Sequence, residues 1–150
     1  MHRVIIGLAL AVLAAGPAVA TDKADVMSVI QQWVDAFNKG DAKSSTAACA
    51  DQTSIIDDFP PYEWHGAGAC AKWFSEFQAA TKAEGTTNHA VTLGKPHHID
   101  VTSDHAYVVV PGGISYNKKG APVKETSTIT MSLQKGTSGW RITGWSWADG

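Results

Sequence analysis

Two adjacent carboxylates, Asp57 and Asp58, precede an aromatic and proline-rich stretch and are the residues best suited to chemistry. Phe59, Tyr62 and Trp64 follow closely in the chain. Aromatic neighbours partly desolvate a carboxylate and raise its pKa, which suits a general base. Adjacent residues on a strand point to opposite faces, so only one of the two can enter a pocket. Asp57 is therefore the predicted catalytic residue, and a turn aspartate that caps the backbone is the alternative.

The sequence contains six tryptophans, whose large apolar surface and single N–H donor suit the wall of a pocket for an aromatic molecule. Trp33, Trp73 and Trp140 fall on core-like faces and are interpreted as structural. Ordinary packing or a dimer face is the alternative role for the other three. The predicted ligand contacts, all with aromatic or imidazole rings, are Tyr62, Trp64, His97, Tyr107, Trp145 and Trp147.

The histidines do not form a recognisable metal motif. His89 and His97 would share one face of a regular strand, but Gly94 and Pro96 interrupt it, so we interpret them as separate surface or pocket residues. One imidazole could still act as a pocket acid or base. The sequence also lacks a phosphate-binding glycine loop, a dinucleotide fingerprint and a Ser-His-Asp order. We predict neither a metal nor a cofactor.

The first twenty residues have the three parts of a cleavable signal peptide. His2 and Arg3 form a basic start, residues 4–15 are apolar, and residues 18–20 form a small-residue end. The apolar run is shorter than the roughly 20 residues that cross a bilayer. We therefore predict a periplasmic or secreted protein of one domain, residues 21–150, with no membrane attachment after cleavage.

Charge and cysteine content extend this prediction. Removing residues 1–20 leaves 11 of the 12 basic residues and all 14 acidic ones, a net charge of −3. An acidic chain disfavours nucleic acid or an anionic membrane as partner. In an oxidising compartment Cys49 and Cys70 are expected to form a disulfide, with two buried thiols as the alternative. Closing a loop of about 20 residues would contribute roughly 3 kcal/mol.

The hydrophobic pattern changes from helical to strand-like along the chain. Helices are predicted from about Thr21 to Gly40, over residues 42–50 and over residues 69–83. A short strand at 53–57 and a loop at 60–68 lie between the second and third helices. Four long strands are then predicted, at about 88–101, 105–117, 121–134 and 140–147.

Short turns join these strands, so neighbours are expected to be antiparallel. Gly112 and Gly113 indicate a bulge or bend that curves the sheet. A bulge at Gly144 would bring the tryptophans of the last strand to one face. The predicted fold class is therefore α+β, a curved antiparallel sheet packed against three N-terminal helices, with a cone whose mouth can hold a small molecule.

Four segments in order carry a family resemblance: residues 33–41 (WVDAFNKGD), 50–57 (ADQTSIID), 64–66 (WHG) and 139–142 (GWRI). Together they resemble the nuclear transport factor 2-like (NTF2-like) superfamily, in its SnoaL-like and ketosteroid-isomerase-like branch. The resemblance implies the cone fold, a pocket between helices and sheet, and frequent dimers. The superfamily holds enzymes, binding modules and assembly domains, so it does not fix the function.

The resemblance also bears on Asp57, which falls where ketosteroid isomerases carry a proton-shuttling carboxylate. Trp33 stands where that family has a tyrosine oxyanion donor, and Ile129 stands near the position of its neutral aspartic acid. Both donors are missing, and each is worth about 3 to 4 kcal/mol. Steroid-type isomerisation is therefore not predicted.

Three functions stay open at this point. The first is a binding module that holds a small, largely apolar or aromatic molecule. The second is a cofactor-independent SnoaL-like isomerase, cyclase or dehydratase, with Asp57 as general base and a pocket histidine or tyrosine as its partner. The third is an interaction domain that forms a homodimer through the open face of its sheet.

Overall fold

The structure is a computed structural model and describes residues 17–149. Most of the predicted signal peptide, residues 1–16, lies outside the described residues. Three helices are present in the described part: α1 is Pro17–Asn38, α2 is Ala42–Ala47 and α3 is Ala69–Glu84. None of these helices is both long enough and apolar enough to cross a membrane.

Seven strands of the described residues form one curved mixed sheet. Their order across the sheet is β2-β1-β7-β6-β5-β3. β3 and β4 both pair with the same edge of β5, β4 with its first part and β3 with its last part. The strands are β1 Cys49–Ile56, β2 Glu63–Ala67, β3 Thr86–Leu93, β4 His98–Thr102, β5 His105–Lys118, β6 Ala121–Gly136 and β7 Gly139–Asp149.

The predicted α+β cone with helices against a curved sheet is confirmed, with one difference in strand direction. β1 and β7 are parallel, while every other pair of the sheet over the described residues is antiparallel. The prediction of antiparallel neighbours rested on short turns between consecutive strands. β1 and β7 are distant in the chain, so no short turn fixes their relative direction.

Two local predictions along the chain were wrong. The predicted loop at 60–68 contains β2, because a tight turn lets it pair with β1, with Ile55 opposite Trp64. The predicted strand at 88–101 is two strands, since Gly94 and Pro96 interrupt the ladder and β5 pairs with each part separately.

The bulge predicted in the last strand is confirmed beside Gly144. Ser132 of β6 lies opposite Gly144, but its neighbour Leu133 lies opposite Ile142, so Thr143 is the extra residue. Because of this shift, Trp140, Ile142 and Trp145 are all buried on one face, and Trp147 packs against the same core. The bulge therefore aims the tryptophans of β7 toward the helices.

The pair Gly112-Gly113 is not a bulge, because the β5–β6 ladder is unbroken from His105 to Lys118. A Cβ on Gly112 would lie 2.7 Å from the Ile129 Cδ1 atom. A larger residue here would force that fully buried side chain to shift, so the close packing favours glycine.

The core lies between the helices and the face of the sheet that they cover. Val26, Ile30 and Val34 recur at four-residue steps on α1 and are almost fully buried. On β6, Ile129, Met131 and Leu133 alternate with polar residues and are also buried, as their pattern predicts. Helix packing onto this face closes one side of the sheet.

The predicted disulfide between Cys49 and Cys70 is present in the structure. It joins the first residue of β1 to the first turn of α3. From the disulfide, both β1 and α3 extend in the C-terminal direction.

Candidate functional site

A cavity of about 260 Å³ lies between α1, α3 and the helix-covered face of the sheet. An apolar cavity of about 150 Å³ already binds benzene, so this one has room for a somewhat larger molecule. The rings that dominate its walls are Trp33, Phe37, Trp73, Phe77, Trp145 and Trp147.

Asp57 lines this cavity from the end of β1, and the residue is only 9% exposed. Its Oδ2 atom accepts a hydrogen bond from Trp73 Nε1 at 2.6 Å, and its Oδ1 atom accepts one from the Asp58 backbone N–H at 2.9 Å. Burial raises the pKa of Asp57 to about 6, although both hydrogen bonds lower it. At neutral pH the group is mostly ionised and can accept a proton.

The local fold explains why Asp57 and Trp73 meet. The backbone N–H of Asp57 donates to the Tyr62 carbonyl at 3.1 Å, which fixes the turn after β1. Trp73 lies one helical turn after Cys70 on the buried side of α3. The disulfide from Cys70 to Cys49 therefore joins the strand that ends before the acceptor to the helix that carries the donor.

Aromatic rings form a continuous array across the cavity. The Trp73 ring packs edge-on against Trp145, with centroids 4.7 Å apart, and is stacked on Phe77 at 5.6 Å. Phe77 contacts the His89 ring at 5.3 Å, and His89 stacks on Tyr116 at 5.3 Å. These separations are typical of favourable ring pairs. The array extends from α3 to β3 and β5.

Besides Asp57, polar side chains on β3, β5 and β6 also line the cavity. The Tyr116 hydroxyl donates to Glu125 Oε1 at 2.6 Å, and this bond chiefly raises the pKa of Tyr116 to about 12. His89 Nε2 lies 3.0 Å from Thr86 Oγ1, and burial lowers the pKa of His89. The imidazole is therefore neutral at physiological pH.

Of the residues predicted from sequence, Asp57, Trp145 and Trp147 line this one cavity. The Trp145 indole nitrogen is buried without a hydrogen-bond partner among the described residues. Trp33 and Trp73, interpreted from sequence as structural, are buried as expected but also line the cavity. Their helical spacing predicted an inward face and could not separate core from cavity wall.

Tyr62 and Trp64, predicted as ligand contacts, do not line the cavity. Tyr62 is 57% exposed in the turn between β1 and β2. Trp64 is 2% exposed, donates its indole N–H to Glu76 Oε2 at 2.6 Å and packs on Phe59. The hairpin seats Trp64 under α3 as a packing residue.

His97 and Tyr107 also lie outside the cavity. His97 is exposed in the link between β3 and β4. The buried residues of β5 include Ala106 and Val108 on either side of Tyr107, so the alternation of the strand places Tyr107 on the opposite face, where it is 47% exposed. Its ring contacts His98 instead.

Sequence reasoning missed Tyr116 and Glu125 and left His89 between surface and pocket. Their positions depend on the pairing of β5 with β3 and β6, which no local pattern specifies. Among residues 17–149, no group of three or more His, Cys, Asp or Glu side chains is placed to hold a metal ion.

The profile of the SnoaL-like domain family matches residues 26–146. Among solved structures, an NTF2-like protein with a cystatin-like fold from Novosphingobium aromaticivorans is 17% identical, with a TM-score of 0.73 over 88% of this chain and 84% of that one. An NTF2-like superfamily protein from Salmonella enterica is 18% identical, with a TM-score of 0.73 over 87% and 92%.

A ketosteroid isomerase-like protein from Erwinia carotovora is 14% identical, with a TM-score of 0.67 over 85% of this chain and 95% of that one. No protein with a curated description matches the chain. At these identities the solved structures establish the fold alone. Because the family profile matches most of its length, the chain belongs to the SnoaL-like domain family, and its fold is that of the NTF2-like solved structures.

Proposed function

We propose that this protein binds a small, largely apolar molecule in the cavity and that Asp57 removes a proton from it as a general base. The observation that carries the proposal is the burial of the Asp57 carboxylate against aromatic walls, with its pKa raised to about 6. A base whose pKa lies near the working pH combines an ionised carboxylate with useful basicity.

The hydrogen bonds to Asp57 leave it able to react. Each carboxylate oxygen has two lone pairs, so the bonds from Trp73 and the Asp58 N–H leave further lone pairs for a substrate proton. The Trp73 indole holds the carboxylate in one orientation, and the surrounding rings limit its contact with water. In an isomerisation, protonated Asp57 would return the same proton to another substrate carbon.

The reaction differs from steroid-type isomerisation, because the oxyanion donors of that chemistry are not supplied. Trp33 occupies the tyrosine position on α1, and Ile129 is a fully buried apolar residue. The Tyr116 hydroxyl donates its hydrogen bond to Glu125 rather than to the site of a substrate oxyanion. We propose a cofactor-independent isomerase, cyclase or dehydratase whose substrate needs little oxyanion stabilisation.

The general base can be tested with 5-nitrobenzisoxazole, a small aromatic molecule that reports on proton removal. A base takes the carbon-bound hydrogen of the isoxazole ring, the electron pair forms a nitrile, and the N–O bond breaks to give a coloured nitrophenolate. We expect the protein to accelerate this ring opening, with kcat/KM rising with pH through about 6.

Asp57→Asn should lower kcat by about 100-fold or more while leaving KM nearly unchanged. Asp51→Asn, which changes an exposed carboxylate on β1, is the matched control and should keep the wild-type rate. If Asp57→Asn binds the probe and retains the wild-type rate, Asp57 is not a base. The domain would then be a binding module for apolar molecules.

We further propose that the protein is exported, as a periplasmic or secreted domain. The disulfide between Cys49 and Cys70 supports this location, because such bonds persist in oxidising compartments. Expression of the full chain with N-terminal sequencing of the product tests the proposal. A mature protein outside the cytoplasm that begins at Thr21 is expected, and an unprocessed cytoplasmic chain would contradict it.

A further inference from the structure

The walls of the cavity are aromatic, but its ionisable groups are mainly acidic. Asp57, Asp58, Glu84 and Glu125 line it, together with a neutral His89. In the described part of the chain, no lysine or arginine lines the cavity. Any charged group of a bound molecule would therefore face carboxylates and rings.

Two of these acidic groups, Glu84 and Glu125, have side-chain partners of different charge. Lys118 Nζ lies 3.8 Å from Glu84 Oε2, and both side chains of this ion pair are exposed. Glu125 accepts the hydrogen bond of the neutral Tyr116 hydroxyl, which leaves its charge in place. Besides that bond, the charges of Glu125, Glu84 and Asp58 all raise the pKa of Tyr116. The three carboxylates therefore create a negative potential at the Tyr116 hydroxyl, which lines the cavity.

Aromatic faces attract positive charge for the same electrostatic reason. A cation over the face of a tryptophan, tyrosine or phenylalanine gains about 0.5 to 2 kcal/mol, a few-fold to about 30-fold in affinity, with the larger values in desolvated sites. Trp73, Trp145 and Trp147 supply such faces within the cavity. An anionic ligand would face these rings and the carboxylates unfavourably.

We propose that the molecule bound in this cavity is a small organic cation, an ammonium group carried on a compact aromatic or apolar body. Its apolar part lies against the tryptophans, and its charge lies toward Glu84 and Glu125. This inference rests on the proposed function, since it assigns the charge of the ligand that the same cavity holds. The rings alone would accept a neutral molecule, so the preference for a cation depends on the acidic side chains.

Three probes of similar size separate the alternatives. Phenyltrimethylammonium and tert-butylbenzene have the same shape and differ in one central atom, a charged nitrogen or a neutral carbon, while benzoate carries the opposite charge. Binding is measured by quenching of tryptophan fluorescence and by inhibition of 5-nitrobenzisoxazole ring opening. We expect the cation to bind about tenfold tighter than tert-butylbenzene, and benzoate to bind more weakly than either.

The carboxylates are tested by Glu125→Gln, which keeps an oxygen to accept the Tyr116 hydrogen bond. Its affinity for phenyltrimethylammonium should fall by about two- to fivefold, with no change for tert-butylbenzene. Glu63→Gln is the matched control, because Glu63 is exposed on β2 and does not line the cavity. Added salt should weaken binding of the cation alone.

The charge assignment would be overturned if tert-butylbenzene bound as tightly as phenyltrimethylammonium or more tightly. It would also be overturned if benzoate bound more tightly than phenyltrimethylammonium. The Asp57-dependent ring opening would then still stand, so the proposed function would survive. If no probe binds and no ring opening depends on Asp57, both the ligand class and the proposed function are wrong. Circular dichroism of each variant separates loss of binding from loss of fold.

Discussion

Replacing the buried carboxylate with an amide, Asp57→Asn, is expected to stabilise the protein at neutral pH. The folded protein keeps Asp57 in an aromatic cavity where ionisation is disfavoured, mainly because the group is desolvated. Asparagine has nearly the same shape, can accept the Trp73 hydrogen bond and carries no charge. A variant that loses catalysis should therefore gain stability, as happens where an active site stores unfavourable energy.

The magnitude follows from the difference in pKa between the two states. Asp57 has a pKa of about 6 in the folded protein, against an ordinary value of 3.8. The folded state binds the proton more tightly, so the free energy of unfolding falls as pH rises from about 4 to 6. Above that range the full cost, about 3 kcal/mol, is present. The variant removes this cost, less whatever the amide loses at the Asp58 N–H.

Urea unfolding of both proteins from pH 4 to 7.5, with the disulfide intact, measures the effect. Hydrogen bonds lower the pKa values of Asp22, Asp41 and Asp104, so these groups change stability with pH in the opposite direction. Subtracting the wild-type free energy at each pH cancels their contribution. Asp51→Asn serves as the control, with a difference within about 0.5 kcal/mol.

We expect the gain in unfolding free energy of Asp57→Asn over wild type to be near zero at pH 4 and to rise to between about 1 and 3 kcal/mol at pH 7. A difference that does not change with pH would show that Asp57 ionises normally. A variant less stable at pH 7 than at pH 4, relative to wild type, would mean that the charged carboxylate stabilises the fold. Either result would mean that Asp57 is not a desolvated base.

Further predictions concern the residues around the site and the sheet. Trp73→Phe keeps a ring but removes the donor to Asp57, so the pH profile of ring opening should shift to higher pH and urea unfolding should show a loss of about 1 to 3 kcal/mol. Gly112→Ala should cost about 1 to 3 kcal/mol in the same assay by overpacking, whereas Gly136→Ala, with open space around its Cβ, should stay within about 0.5 kcal/mol. Serine at both cysteines should cost about 3 kcal/mol, because the disulfide closes a loop with a sequence separation of 21.

Features set by local pattern could be predicted from the sequence. The helical spacing of Val26, Ile30 and Val34 gave the buried face of α1, and the alternation on β6 gave its inner side. The bulge beside Gly144 was predictable because regular alternation would have put the tryptophans of β7 on opposite faces. The same bulge predicted correctly that Trp145 and Trp147 face the core side of the sheet, whereas their contact with a ligand stays a prediction.

Features set by pairing between distant segments could not be predicted. Tyr116 and Glu125 meet because β5 and β6 pair in one register, and His89 reaches Tyr116 through the pairing of β3 with β5. Trp64 looked like a ligand contact because its strand was expected to be a loop. Tyr107 was misplaced, although the buried alternation of its strand could have indicated the outer face.

If Asp57 is a desolvated base within the cavity, its carboxyl group titrates well above an ordinary aspartate, and this titration can be measured. The ¹³C chemical shift of the Asp57 carboxyl carbon can be followed by NMR from pH 3 to 8, with Asp57→Asn to assign the signal. We expect a titration midpoint near pH 6. A midpoint near the ordinary aspartate value of about 3.9 would contradict it.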